Sequence, residues 1–123
     1  MKKTETVNDP AAIGPYSQAI TGNGIIYTSG QIPINPFSGK IEADDITGQT
    51  KQVIENLSAV LESSGSSLEK VVKTTCYLKN INDFGTFNDV YSQYFTSKPA
   101  RSCVEVSNLP KGALVEIEVI SEL

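Results

Sequence analysis

Arg101 is the only arginine among ten basic residues; the other nine are lysines. A guanidinium stays charged at any physiological pH and grips a carboxylate through two parallel hydrogen bonds. It follows Pro99-Ala100 at the start of a strand-like segment, where proline fixes the approach of the backbone. Two readings stay open from these facts: a grip on an anionic ligand, or a structural ion pair with Glu105 or Glu118. Glu116 and Glu118 alternate with apolar residues, so a partly buried carboxylate there can hold a water or shuttle a proton. The same alternation describes an ordinary half-exposed strand. Cys103 stands two residues from Arg101, and a nearby cation lowers a thiol pKa. With no histidine to serve as its base, a structural thiol is the plainer reading. Tyr16, Ser29 and Gly30 fall at loop ends, where hydroxyls and free backbone N–H groups can meet a ligand.

Composition excludes several chemistries. The absence of histidine removes Ser-His-Asp triads, His-Cys dyads and every His-containing metal site. Two cysteines cannot make a zinc site built from four thiolates, and no carboxylate run has calcium-loop spacing, so neither a metal nor a cofactor is expected. A net charge of −4 with a pI near 4.7 leaves no broad basic surface for phosphates, which argues against nucleic acid as the main partner. The N-terminus has no apolar run of signal-peptide length, and no stretch approaches membrane-spanning length. A cytoplasmic protein with reduced thiols is expected.

At 123 residues, with 39% hydrophobic and 20% charged residues, residues 1–123 are expected to form a single domain with its own core. Thr4 to Val7 reads as a short edge strand and Pro10 to Pro15 as a loop. Ser17 to Thr21 and Ile25 to Ser29 flank Gly22-Asn23-Gly24, the signature of a tight hairpin. Gly30 to Gly39 reads as a long ordered loop with its tip near Phe37 to Gly39. A helix is predicted over Asp45 to Ser63, capped by Asp44 or Asp45 and ended by Gly65, with Gln49 largely off its apolar face. Val71 to Lys79 reads as a central strand. A second helix follows over Phe84 to Phe95, capped by Asn82 or Asp83, with an aromatic stripe read as core packing.

Val104 and Val106 alternate in phase with Val115, Ile117 and Val119 across the loop from Asn108 to Ala113, which predicts a terminal hairpin. Its parity puts those valines and Ile117 against the helices. It puts Arg101, Cys103, Glu105, Glu116 and Glu118 together on the opposite face, with Glu105 near Glu116 and Cys103 near Glu118. The order β-β-β-α-β-α-β-β then implies an α/β (α+β) two-layer domain, a mixed sheet with both helices on one face.

The chain resembles the RidA/YjgF family of reactive-intermediate deaminases, also known as L-PSP endoribonucleases. The resemblance rests on Ala12-Ile-Gly-Pro-Tyr-Ser-Gln18, Tyr27-Thr-Ser-Gly-Gln-Ile-Pro33, Val72-Lys-Thr-Thr75, Phe87-Asn-Asp-Val-Tyr91, Pro99-Ala-Arg-Ser-Cys-Val-Glu-Val106, Leu109-Pro-Lys111 and Val115-Glu-Ile-Glu118. It implies a chorismate-mutase-like fold, a homotrimer built round a central barrel, and ligand clefts between subunits. The implied activity is hydrolysis of 2-imino acids and their enamine tautomers, derived from 2-aminoacrylate and 2-aminocrotonate, to 2-keto acids and ammonia. By resemblance Arg101 binds the substrate carboxylate, the Gly30 N–H supports it, and Ser29 lies beside it. Glu116 positions the attacking water with help from the Cys103 main chain; Tyr16 closes the pocket and Asn88 stands in its wall. The connection Thr96-Ser97-Lys98 is shorter than in many bacterial relatives, which bears on the pocket rim. A ligand-sensing or regulatory trimer without turnover is the competing reading. The ribonuclease or translation-inhibitor activity of the older family name fits poorly with an acidic chain that lacks histidine.

Overall fold

The computed structural model describes residues 1–123. Strands β1 (Lys2–Thr4), β2 (Ala19–Gly22) and β3 (Ile25–Thr28) are followed by helix α1 (Ile46–Ser63), strand β4 (Val71–Leu78), helix α2 (Phe84–Tyr94), and strands β5 (Ala100–Glu105) and β6 (Val115–Glu122). The six strands form one sheet in the order β1-β2-β3-β6-β4-β5. All neighbours are antiparallel except β4 and β5. The mixed sheet with two helices expected from the sequence is therefore present. The short first strand lies a few residues earlier than the reading of Thr4 to Val7.

Local chemistry explains most of these elements. The β2–β3 hairpin turns through Asn23 (φ 54°) and Gly24 (φ 76°), the left-handed pair that a two-residue hairpin needs. Asp45 caps α1 by accepting from the Gly48 N–H at 2.8 Å, and Gly65 (φ 89°) follows its end. Val53, Ile54, Leu57, Val60 and Leu61 are fully buried along this helix. Three polar residues of α1, Gln49, Thr50 and Asn56, are buried as well, and two of them have a structural task. Asn56 donates to the Ile32 and Ile34 carbonyls at 3.2 and 3.0 Å, and Gln49 accepts from the Leu114 N–H at 2.8 Å. Helix α1 thereby holds the long loop after Gly30 against the sheet.

Helix α2 starts differently from the expected cap. Asp83 is helical and makes no side-chain cap; a 3-10 turn over Ile81–Asp83 leads in, and Asn80 accepts from the Asn82 N–H. Glu105 accepts from the Ile81 N–H at 2.8 Å, so β5 supplies part of the helix entry. Phe87, Val90, Tyr91 and Phe95 are buried, as the core reading of the stripe requires, and Tyr91 bonds the buried Thr74 hydroxyl at 2.8 Å.

The terminal hairpin does not form. β5 lies at the sheet edge, parallel to β4, whereas β6 sits two places away between β3 and β4. The unit β4-α2-β5 is a parallel crossover, and a helix between two strands makes that connection readily. The parity inference therefore compared strands that never touch. Along β4, Thr74, Cys76 and Leu78 pair with Arg101, Cys103 and Glu105 on one side and with Val119, Ile117 and Val115 on the other. Paired residues share a face, so Arg101, Cys103 and Glu105 point toward the helices with Val115, Ile117 and Val119. Glu116 and Glu118 point the other way, and Val104 joins them at 46% exposure. Glu105 does not neighbour Glu116, nor Cys103 Glu118; their β4 partners are Leu78, Tyr77, Cys76 and Thr75 respectively.

Candidate active site

The predicted site residues fall into two groups on opposite faces of the sheet. On the helix face, Arg101 leaves β5 beneath α2. Its Nη1 donates to the Asn88 carbonyl oxygen Oδ1 at 2.7 Å, and its guanidinium carbon lies 4.8 Å from the Tyr91 ring centre and 5.4 Å from that of Phe84. Two aromatic faces and one amide hold the cation without neutralising it. The carboxylates proposed as structural partners are engaged elsewhere: Glu105 with the Ile81 N–H and Glu118 with the Tyr77 hydroxyl at 2.8 Å. The ion-pair reading of Arg101 is thus replaced by a positioned cation that lines a cleft of about 360 Å³. Thr96, Lys98 and Pro99 rim this cleft, so the short connection after α2 shapes its mouth.

Cys103 lies beside Cys76 on the same face, at the same level of the two parallel strands. The Cys76 thiol donates to the Thr74 hydroxyl at 3.8 Å. The neighbouring Cys76 thiol lowers the Cys103 pKa to about 7, with Arg101 adding to the effect. Cys103 beside it and its own burial push the Cys76 thiol up.

On the open face, Glu116 is half-buried against the backbone of Gly30. A Cβ on residue 30 would lie 2.2 Å from Glu116 Oε2, so the close approach of backbone to carboxylate requires glycine. Burial raises the Glu116 pKa, and the neighbouring Glu118 raises it further. Gly30 is held in place by the next residue: the Gln31 N–H donates to Ile117 O at 2.8 Å and the Ile117 N–H returns to Gln31 O at 3.1 Å. Ser29 is tied to the segment leading into β2, its hydroxyl donating to Ser17 O at 2.5 Å and its N–H to Gln18 O at 2.9 Å. Tyr16, 55% exposed, joins Gly30, Glu116, Asp9 and Lys111 round a cavity of about 410 Å³.

Within one chain the structure brings together Tyr16, Ser29, Gly30 and Glu116, and separately Arg101, Asn88 and Cys103. Arg101 pairs with Thr74 and Glu116 with Tyr77, so they differ by three residues along β4 and by two strands across it. That is ~10 Å in each direction, with the sheet between the two side chains. Asp9, Gln31, Cys76 and Lys111 were missed in the sequence. Gln31 lies inside a motif segment, but nothing in the order of residues signals that Asp9 is 2% exposed beside it.

Comparison with known proteins adds identity to this geometry. Residues 6–123 match the sequence profile described as Endoribonuclease L-PSP. The chain is 47% identical over 126 residues to the 2-iminobutanoate/2-iminopropanoate deaminase of Escherichia coli K12, covering 98% of each. It is 53% identical over 124 residues to a Lactococcus lactis protein provisionally named regulator AldR, covering 100% of this chain and 98% of the other. Among solved structures, that of YyfA, a conserved Rid-family protein of unknown function from Yersinia pestis, superposes with a TM-score of 0.96 at 56% identity, covering 99% and 98% of the chains. Escherichia coli TdcF with bound serine gives 0.95 at 40% identity, covering 100% and 99%. The chain thus belongs to the Endoribonuclease L-PSP family, the RidA/YjgF group.

Proposed function

We propose that the chain hydrolyses reactive 2-imino acids and their enamine tautomers to 2-keto acids and ammonia. The observation that carries this reading is Glu116, a half-buried carboxylate with a raised pKa, packed against the Gly30 backbone beside a cavity. Arg101 supplies the complementary charge for the substrate carboxylate, and Asn88 fixes the guanidinium. The name of the Escherichia coli relative supports the substrate class.

The chemistry asks little of the protein. A protonated imine carbon is already electrophilic. Water adds to it, forming the C–O bond while the C=N π electrons move to nitrogen, and Glu116 accepts the proton that water loses. Glu116 then returns that proton to the amine nitrogen, the C–N bond breaks with its electron pair leaving on ammonia, and Glu116 takes the hydroxyl proton as the keto group forms and passes it to the departing ammonia. Protonated imino acid and water become keto acid and ammonium, with no covalent enzyme intermediate and no redox change. Orientation by Arg101 and the Gly30 N–H converts this into a positioned reaction of bound groups. Cys103 contributes its main chain beside the water, and Tyr16 closes the cavity.

Arg101 and Glu116 of one chain are separated by their own sheet, so the site is completed by a second subunit. A contact that joins a residue of one subunit to a different surface of the next is heterologous, and such contacts close into a ring when the rotation between subunits closes. The homotrimer of the resembled family is the ring we assign. Its closure also covers the open face, where Tyr27 (50% exposed) and Val104 (46% exposed) are otherwise in water.

The direct test follows 2-ketobutyrate release from threonine by a dehydratase, with semicarbazide present to trap free imine. Wild-type protein is expected to lower trapping and speed keto-acid formation, and Arg101→Ala protein to do neither. The name of the Lactococcus lactis relative favours a second reading, a regulatory ligand-binding oligomer. Carboxylate binding without any effect on trapping, with either the threonine- or the serine-derived imine, would select it.

A further inference from the structure

Cys76 and Cys103 are the chain's two cysteines, and the sheet sets them opposite each other on the adjacent parallel strands β4 and β5. Residues paired in this way share a face, so both thiols project from the helix side of the sheet. Neighbouring strands lie ~4.8 Å apart, inside the range of about 4.4–6.8 Å between the Cα atoms of a disulfide. The Cβ atoms must approach to about 3.5–4.5 Å, which asks for a small inward shift of one strand. β5 is free to make it, because it is an edge strand bonded only to β4, whereas β4 is held between β5 and β6.

The two thiols differ in access. Cys76 is fully buried in the core, with its thiol against the Thr74 hydroxyl. Cys103 is partly exposed and packs on the rim of that core, two residues along the strand from the Arg101 cation. A small oxidant therefore meets Cys103 first. The neighbouring thiol and, after it, Arg101 bring the Cys103 pKa to about 7, so a large share of it is thiolate, the nucleophilic form, at neutral pH. The deaminase mechanism leaves both sulfurs unused, since only the main chain of Cys103 takes part.

We propose that Cys103 is a site of oxidation by hydroperoxides and that Cys76 is its resolving thiol, the product being an intrachain disulfide between β5 and β4. With hydrogen peroxide, the Cys103 thiolate attacks one peroxide oxygen. The S–O bond forms, the O–O bond breaks, and the departing hydroxide becomes water with the proton the thiol released. Cys76 sulfur then attacks the Cys103 sulfenic acid: the S–S bond forms, the S–O bond breaks, and the hydroxyl leaves as a second water with the Cys76 proton. Two thiols are oxidised to one disulfide while one peroxide is reduced to two waters, and a dithiol reductant reverses the change. Resolution by Cys76 spares Cys103 from the irreversible step to sulfinic acid. The bond also encloses Asn88, Tyr91 and Arg101 in one covalent loop, since all three lie between the two cysteines in the chain.

The test treats folded, fully reduced protein with hydrogen peroxide, then alkylates it under denaturing conditions and reads it by mass spectrometry. Wild type is expected to lose both thiols together, with a single-chain mass lower by about 2 Da, a peptide pair joined through Cys76 and Cys103, and full recovery in dithiothreitol. In Cys76→Ser the Cys103 sulfenic acid should be captured by dimedone, and without dimedone the yield of sulfinic acid should exceed that of wild type by about 10-fold. In Cys103→Ser the buried Cys76 thiol should be lost about 10-fold more slowly than in wild type. Cys76→Ala serves if the serine variant fails to fold. Thiols that survive in every protein overturn Cys103 as a site of oxidation. Equal sulfinic acid in wild type and Cys76→Ser, or a disulfide found only between chains, overturns Cys76 as the resolving thiol. Equal thiol loss in Cys103→Ser overturns the order of attack. None of these results bears on the deaminase reading, which uses neither sulfur.

Discussion

The two halves of the candidate site are built in opposite ways. Around Arg101 the positioning is done by side chains: Asn88, Tyr91 and Phe84 of α2 surround a long, flexible cation and leave its charge free. Around Glu116 it is done by backbone, with Gly30 pressed against the carboxylate and Gln31 tied at both ends to Ile117. The difference follows from the tasks. A guanidinium must be steered into one of many rotamers, whereas a carboxylate whose pKa is to rise must be kept from water. Neither half contains what the other supplies, and the sheet of one chain keeps them apart.

The largest effect expected tests that separation. Arg101→Ala and Glu116→Gln should each leave little activity, the former losing on the order of 2–5 kcal/mol of carboxylate binding as for buried charge pairs. Co-refolded as mixed oligomers, the two inactive proteins should recover about a quarter of wild-type turnover, the share of random subunit contacts that join an intact Arg101 to an intact Glu116. No recovery in verified hybrids would mean that both residues serve the same subunit's site.

Next in size, Glu116→Gln alone should lower kcat by about 10²–10⁴ while 2-ketobutyrate affinity stays within about twofold, because the amide cannot take a proton from water. In wild type, kcat should rise with pH through a value above the usual carboxylate range, since the base works ionised and its pKa is raised. An equal loss of binding and turnover would place Glu116 in ligand binding instead. Gly30→Ala should then cost about 10- to 100-fold in turnover, as the added Cβ displaces a carboxylate that would otherwise lie 2.2 Å away. Its melting temperature should move little if the Glu116 side chain yields.

Smaller effects probe the Arg101 half. Tyr91→Phe removes the buried bond to Thr74 and should destabilise the fold by about 1 kcal/mol in denaturant unfolding. The midpoint of Cys103 alkylation should lie near pH 7 and rise clearly in Cys76→Ala, which removes the neighbouring thiol that lowers it. It should rise less in Arg101→Ala, whose charge is the weaker influence. A larger shift in Arg101→Ala would show that the cation, not Cys76, sets the reactivity of this thiol.

Elements governed by local chemistry were legible in the residues. The Asn23-Gly24 turn, the Asp45 cap and the apolar stripe of α1 each rest on interactions within a few positions of the chain. The terminal strands were misread for a definite reason. Alternation reports that a strand has two unlike faces but carries no label for which neighbour it pairs with. Val104 and Val115 look equivalent in sequence, yet one is 46% exposed at the sheet edge and the other fully buried in its centre. The face assignment of Arg101 and Cys103 failed with that pairing.

Residue types and motif segments by themselves determined the family, the order of elements, the exclusion of histidine chemistry and the choice of Arg101, Glu116 and Gly30. The order of elements and the exclusion of histidine chemistry need only composition and short-range periodicity; the family and the choice of Glu116 and Gly30 rest on the likeness of the motif segments to a known family. Tertiary structure decided that Arg101 is held by α2 without a carboxylate, that a Cβ on residue 30 would push the Glu116 carboxylate aside, and that Asp9 is buried beside Gln31. It also decided that the two halves of the site lie on opposite faces of one sheet. Each of these depends on which distant segments meet, and insertion of β6 between β3 and β4 is a contact that no local pattern encodes.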